Sequence, residues 1–555
     1  MKTAAAPGLA GFKAAPLPEP LRRAHRAAGL TDDALPAVLL QDTAARFAER
    51  PAVVDLTNGG ADPVSYRELA GEVRRFAGHL AERGVRPGQT VLIQSPNCRE
   101  ALVASWAAWH LGCVLAPVVD IYREHELRQV VPLVAPAVVV TAAEHRDTRF
   151  PALLDEVLGD TEVVARVVLG GEHPGWTTWD EALATAEPAG AAAHIDPDAP
   201  SLVLFTSGTT SAPKAAVHSS RTLMAESRQL ARAFAVTWRD RVHDPYPLAH
   251  IAGLEYATTI SALTGSTALL SRMTGQQRAV DEIAEHGATY AAGPPGMVPL
   301  LAEAFAGADR VPLHTFVTGG TTVPRVLVEQ GEEIGIGAVR VYGLTELPSV
   351  TAPIAGDPAD VRLGTDGPLP PGGECHAVDP DTRARLPAGT EGELRVRGPE
   401  RMLGYLDPEQ TASQIDEAGW FYTGDLGFVD ERGRLTVTGR IKDIINRGGE
   451  KFSARDIEDV LVGHPAVAEV AVVSAPDERY GEVPAAFVVA AYGHAPSGEM
   501  LAAFLTERGV AHQKTPQHWN VVARLPVTPF GKVKKFELQK MLAEPPNPTE
   551  KEARP

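Results

Sequence analysis

The run Thr206-Ser207-Gly208-Thr209-Thr210-Ser211-Ala212-Pro213-Lys214 follows directly on the apolar stretch Leu202-Val203-Leu204-Phe205. A strand leading into such a loop can wrap a polyphosphate. Backbone N–H groups and hydroxyls donate to phosphate oxygens, glycine lets the backbone come close, and the lysine ammonium supplies a point charge. The GxxxxGK[ST] spacing of a Walker loop is absent. Taken alone, the run reads equally well as a Ser/Thr-rich surface turn.

Six further segments follow in order, each with residues fit for chemistry. His250, in residues 245–253, is set among Leu248, Ile251, Leu254 and Tyr256, surroundings that suit an organic acid better than an amino acid. Thr318-Gly319-Gly320-Thr321-Thr322 is a turn of small residues, against which a planar ligand can lie. Tyr342-Gly343-Leu344-Thr345-Glu346 combines a ring that can stack on a base, a hydroxyl donor, and a carboxylate able to hold Mg2+, which takes oxygen ligands. Asp425, within Tyr422-Thr423-Gly424-Asp425, is an acceptor-only carboxylate suited to a vicinal diol. Arg440 and Lys442 lie in Gly439-Arg440-Ile441-Lys442-Asp443, with the Gly448-Gly449 pair close behind. Lys532 ends the run Pro526-Val527-Thr528-Pro529-Phe530-Gly531-Lys532. Each segment also has a purely structural reading: a capping histidine, a strand-to-helix turn, a hairpin turn, a basic tail patch.

Together and in this order, the segments resemble the adenylate-forming superfamily of acyl- and aryl-CoA ligases, luciferase and the adenylation domains of peptide synthetases. The resemblance covers residues 40–540. It implies that ATP is cradled by Thr206, Ser207, Gly208, Thr209, Thr210 and Lys214. Gly319, Gly320 and Thr321 would touch adenine and the carboxylate end of the substrate, and Tyr342 and Gly343 would meet the adenine. Thr345 would reach the α-phosphate, Glu346 would hold Mg2+, and His250 would border the acyl pocket. Asp425 would accept from both ribose hydroxyls, with Arg440 reaching the ribose or phosphates. Lys442 falls at a hinge, Gly448 and Gly449 line a thiol tunnel for CoA, and Lys532 is the adenylation lysine, whose charge would stabilise the transition state.

The activity so implied is ATP-dependent adenylation of a carboxylic acid, then transfer to the CoA thiol. Alternatives are an adenylating enzyme with another acceptor (a nitrite-activating diazotase, or acyl transfer to an amine or a carrier protein) and an inactive ATP-binding scaffold. Two positions depart from the pattern: Ser211 stands where glycine is usual, and Ala215 replaces the glycine after the lysine. A non-glycine forced to positive φ costs on the order of 1 kcal/mol.

These segments need a framework to position them. At 555 residues, at least two domains are expected. The expected fold is α/β: a large N-terminal domain of doubly wound sheets plus a distorted β-barrel, with a small mobile α+β C-terminal lid. The expected boundaries are a loose arm over 1–30, an AMP-binding domain over 31–440, a lid over 441–543 and a disordered, proline-rich tail over 544–555. Ser65 and Glu68 form a capping-box signature, and Leu69, Val73, Phe76 and Leu80 share one helical face. Residues 90–93, 137–141 and 163–169 read as short apolar strands separated by helical material, the alternation of parallel sheets. Residues 186–200 read as a surface connection, and 101–119 as a buried helix and strand rather than a membrane span.

The 52 basic and 70 acidic residues give a formal charge of −18, which argues against a general nucleic-acid or membrane-surface binder. Three widely spaced cysteines suggest neither a disulfide framework nor a metal cluster and fit a reducing cytoplasm. The identity of the acid and the oligomeric state are not legible.

Overall fold

The computed structural model describes residues 9, 11–206, 213–272, 274–320, 323, 325–354, 356–447, 450–477, 479–527 and 533–543. The chain divides into two compact units. The first holds residues 1–319, 325–375 and 396–421, the second residues 320–324, 376–395 and 422–555. The architecture is α/β, as the alternation of apolar strands and amphipathic helices predicts.

Among the described residues, two sheets build the first unit, one of eight strands and one of seven. In the eight-stranded sheet, Thr90–Gln94 pairs in parallel with both Val114–Val118 and Val138–Ala142. Successive side chains on these strands enter different cores, because a strand has period two. Val91 and Ile93 join one apolar cluster while Leu92 joins another; Val138 and Val140 divide from Val139 in the same way. Helices therefore cover both faces, the condition for a buried parallel sheet. Residues 101–119 are a buried helix, Arg99–His110, followed by the central strand Val114–Val118. The helix Tyr66–Glu82 starts on the expected capping box: Glu68 N–H donates to Ser65 Oγ, and Ser65 N–H donates to Glu68 Oε2 at 2.9 Å.

Two stretches are held more firmly than composition suggests. The arm expected to be loose over residues 1–30 carries a helix, Glu19–Ala27, and buries Leu9, Leu17 and His25. Its Ala15 N–H donates to Leu403 O at 2.7 Å. Apolar residues spaced among the prolines anchor it, a pattern that an Ala/Pro-rich composition hides. The connection over 186–200 is mostly irregular, as expected, yet Ala189 N–H donates to Arg74 O at 2.8 Å. Cys98, Cys113 and Cys375 are free and buried. Among the described residues, no helix is long and apolar enough to cross a membrane.

The distorted barrel is expected within the N-terminal domain over 31–440; there Phe421–Val429, which enters the second unit at Tyr422, pairs antiparallel with Arg434–Arg440. A separate small α+β layer follows. Val467–Asp477 and Gly481–Ala490 form a long hairpin, His518–Val522 adds in parallel, and the helix Ala454–Leu461 packs its apolar stripe on this sheet through Ile457 and Leu461. Lys535 opens the helix Lys535–Ala543. Its ammonium lies 2.8 Å from Glu458 and 3.7 Å from Asp443.

Candidate active site

The glycine- and hydroxyl-rich loop joins two antiparallel strands, Pro200–Thr206 and Lys214–Ser219. The register places Thr206 opposite Lys214, so the two ends of the loop are neighbours. Ser207, Gly208, Thr209, Thr210 and Ser211 lie outside the described residues. Ala215 is buried, pairs with Phe205 and is not among the residues with positive φ. Alanine is therefore unstrained there, and the missing glycine carries no backbone cost at this position.

Lys214 Nζ donates to Gln414 Oε1 at 3.0 Å and stands 5.2 Å from the centre of the Tyr405 ring. Tyr405 belongs to a two-residue strand, Gly404–Tyr405, paired beside Ala216. Its hydroxyl donates to Glu346 Oε1 at 2.5 Å. Burial, the Glu346 charge and this bond together push the phenol well above its ordinary range, so it stays a donor. Tyr405 thus links the lysine of one sequence segment with the carboxylate of another. Neither Tyr405 nor Gln414 was singled out in the sequence; the short Leu403-Gly404-Tyr405 run carries no local signal for either role.

The segment holding Glu346 leaves the strand Gly337–Val341 and turns sharply. Tyr342 N–H donates to Thr351 Oγ1 at 2.9 Å. A Cβ on Gly343 would lie 1.8 Å from the Pro348 carbonyl oxygen, so only glycine fits. Beyond it, the Thr345 carbonyl oxygen sits 2.7 Å from His218 Nε2. A carbonyl only accepts, so Nε2 carries the proton. Burial pulls the His218 imidazole down to about 4, with the Arg401 charge adding to the fall, and the ring is neutral at pH 7. Met402 N–H donates to the Glu346 carbonyl at 2.8 Å. Thr345 and Glu346 are thus gripped by backbone and buried side chains, in the manner of groups that must hold position.

His250 caps the helix Ile251–Glu255, its Nδ1 accepting from Ala252 N–H at 3.3 Å. Apolar surroundings pull its imidazole down to about 4, and its ring centre is 5.6 Å from that of Tyr246. Asn97, absent from the sequence reading, fixes this segment. It donates to Tyr246 O at 2.9 Å and Ser271 O at 2.8 Å, and accepts from Leu248 N–H at 2.8 Å. Tyr256, on the helical turn Tyr256–Ile260, and Tyr290, on the strand Tyr290–Ala292, share a hydroxyl–hydroxyl hydrogen bond. Gly319 ends the strand Thr315–Gly319, where a Cβ would meet Val341 O at 2.5 Å; Gly320 has φ +76°. Thr321 lies outside the described residues.

In the second unit, Asp425 and Arg440 face each other across one antiparallel pair. Asp425 is buried, and its Oδ1 lies 2.6 Å from Arg440 Nε. Its N–H donates to Thr423 Oγ1 at 3.0 Å. Lys442 is exposed in the single turn Ile441–Asp443. The strands on either side of Gly448 and Gly449 pair with Arg447 opposite Glu450. Gly448, Gly449 and Lys532 lie outside the described residues.

Over residues 40–406 the sequence matches the AMP-binding enzyme family, and over residues 456–532 the AMP-binding enzyme C-terminal domain. A medium-chain fatty-acid–CoA ligase of Escherichia coli is 33% identical over 529 residues, covering 94% of this chain and 93% of that protein. ATP-bound MatB from Rhodopseudomonas palustris superposes with a TM-score of 0.81 at 27% identity, covering 91% of this chain and 99% of that one. The amide bond synthetase McbA from Marinactinospora thermotolerans gives 0.78 at 28% identity, with 91% and 99% covered.

Proposed function

The chain belongs to the AMP-binding enzyme family and is an AMP-forming ligase, and from that premise we propose that it adenylates an organic carboxylic acid and passes the acyl group to the thiol of CoA. The observation that carries the first step is the Lys214–Tyr405–Glu346 linkage, with His218 holding the Thr345 carbonyl. This arrangement sets a cation, a hydroxyl donor and a hard oxygen ligand on one rigid frame, as attack at a phosphate requires. Support for a carboxylic acid comes from the apolar and aromatic setting of His250, with Leu248, Ile251 and Tyr256 buried nearby. A neutral His250 leaves the substrate carboxylate as the anion that attacks.

In the first step a carboxylate oxygen bonds to the α-phosphorus, and the bond to the bridging oxygen breaks, releasing pyrophosphate. In the second, the thiolate sulfur bonds to the acyl carbon and AMP leaves with the electron pair. The enzyme positions the reactants and stabilises charge. Lys214 would meet phosphate oxygens, Thr345 the α-phosphate, Asp425 and Arg440 the ribose, and Lys532 the charge developing between carboxylate and phosphate.

Magnesium fits the carboxylate chemistry at Glu346, whose Oε1 is oriented by Tyr405. Among the described residues no group of three acidic, His or Cys side chains could hold a metal, so Glu346 would share the ion with phosphate oxygens and water. When bound, it would neutralise phosphate charge.

A second reading replaces CoA with an amine acceptor, and the likeness to an amide bond synthetase favours it. The test is AMP formation from a panel of carboxylic acids plus nitrite, with CoA, with an amine, or with neither. Thioester formed only when CoA is supplied is the expected result. Amide without thioester would overturn the CoA assignment, and AMP formed from nitrite alone would overturn the carboxylic acid.

A further inference from the structure

One buried cation touches none of the described groups that would meet ATP or the acid. Arg401 is 2% exposed. Its Nη2 donates to Ala15 O, while Nε and Nη1 are buried without a hydrogen-bond partner. A guanidinium carries five donors in a fixed fork, and leaving a buried charge this poorly matched is costly. Arg401 lines a cavity of about 260 Å3 under the N-terminal helix Glu19–Ala27. Arg22, Arg23, Arg26 and Arg221 line the same cavity, against the carboxylates of Glu19 and Asp198. Arg22 Nε is also buried without a partner. Asp33 also pairs with Arg221 at 3.0 Å and with Arg26 at 3.3 Å, so five guanidiniums meet three carboxylates and a net positive charge remains, in a chain of formal charge −18. Pro16, Leu17, Met402 and Leu403 supply an apolar wall.

We propose that this cavity binds a small organic oxyanion, its acid group drawn to Arg22 and Arg401 and its apolar body against Leu17 and Leu403, and that its occupant tunes adenylation. The link to the candidate active site is short. Met402 N–H donates to the Glu346 carbonyl, and Leu403 N–H donates to Val217 O at 2.7 Å, one residue before the His218 that holds Thr345. An anion that pulls on Arg401 therefore pulls on the segment that fixes Glu346.

The ligand's acid group has two sources, carboxylate or phosphate ester, and benzoate, phenyl phosphate and inorganic phosphate separate them. Thermal unfolding is followed with each probe, with a non-hydrolysable ATP analogue filling the nucleotide site. The wild type is expected to melt higher with at least one organic probe than with inorganic phosphate. Arg401→Met keeps the stem and removes the buried charge; it should melt higher than wild type without ligand and lose the probe-dependent rise. Arg22→Gln, on the cavity rim, should weaken probe binding at least about tenfold, the value of one charged hydrogen bond. If Arg401→Met does not fold, Arg22→Gln decides alone. No probe-dependent rise in wild type, or an equal rise in both variants, overturns the site. The tuning rests on the adenylation reading and has its own readout: the bound probe should change pyrophosphate exchange in wild type and leave Arg22→Gln unchanged. Binding without that change overturns only the coupling.

Discussion

Tyr405 stands between a cation and a carboxylate. Its ring lies under Lys214 and its hydroxyl holds Glu346. Tyr405→Phe keeps the ring and deletes the bond, so the lysine contact survives while the carboxylate is released. A hydrogen bond to a charged group contributes about 1.5–3 kcal/mol. ATP–pyrophosphate exchange should therefore fall roughly tenfold or more, and half-maximal activity should need more magnesium. Exchange rates at a series of magnesium concentrations check this; an unchanged magnesium dependence would remove Glu346 from ion binding.

At the scale of the element, the turn after Gly337–Val341 depends on Gly343. A Cβ there overlaps the Pro348 carbonyl at 1.8 Å, and backbone cannot be relieved by a rotamer change. Gly343→Ala should displace Thr345 and Glu346 and cost about 1–3 kcal/mol of stability. A displacement of this kind can lower the rate about 100-fold. Exchange at the wild-type rate in a folded Gly343→Ala enzyme would place the chemistry elsewhere. The single turn Ile441–Asp443 is the second element with a mechanical expectation. We propose Lys442 as the hinge between two lid orientations, one for each half-reaction. Proline at 442 fixes φ near about −65° and removes an N–H. Lys442→Pro should leave adenylation largely intact and slow thioester formation from preformed adenylate much more. Single-turnover kinetics of each half-reaction decide it, and an unaffected second step would move the hinge away from 442.

For the molecule as a whole, three buried glutamates of the first unit set a pH dependence of folding. Glu226 is pushed up to about 8, chiefly by burial and then by the Glu400 charge, with the Ser349 hydrogen bond opposing. Glu400 is pushed up to about 7 and Glu255 also rises, both by burial first. A carboxyl whose pKa is higher folded than unfolded binds its proton more tightly in the native state. Its contribution is fully present below the ordinary value of 4.5 and is lost as pH rises toward about 8. Stability should therefore decline across that window. Glu226→Gln keeps an acceptor for Ser349 and removes the titration, so it should gain on the order of 1–3 kcal/mol at pH 8 and little at pH 4.5. Denaturant unfolding of both proteins across the window tests this, and parallel pH profiles would rule it out.

The linear order of residues by itself determined the family and the local elements that carry its motifs. The strand before the hydroxyl-rich loop, the capping box at Ser65, the burial of residues 101–119 and the small-residue turns at Gly319 and Gly343 are local signals. They follow from periodicity, caps and the absence of a Cβ, and they need no distant partner. What holds the groups in place was decided by tertiary structure. Tyr405 reaches Glu346 across 59 residues, His218 reaches Thr345 across 127, and Lys214 reaches Gln414 across 200. The docking of the N-terminal arm through Ala15 and the unbonded Nε and Nη1 of Arg401 arise in the same way. A side chain's type declares what it can donate or accept, whereas its partner is fixed only when sheet pairing brings remote backbone alongside; burial then makes that partner's presence or absence energetically decisive.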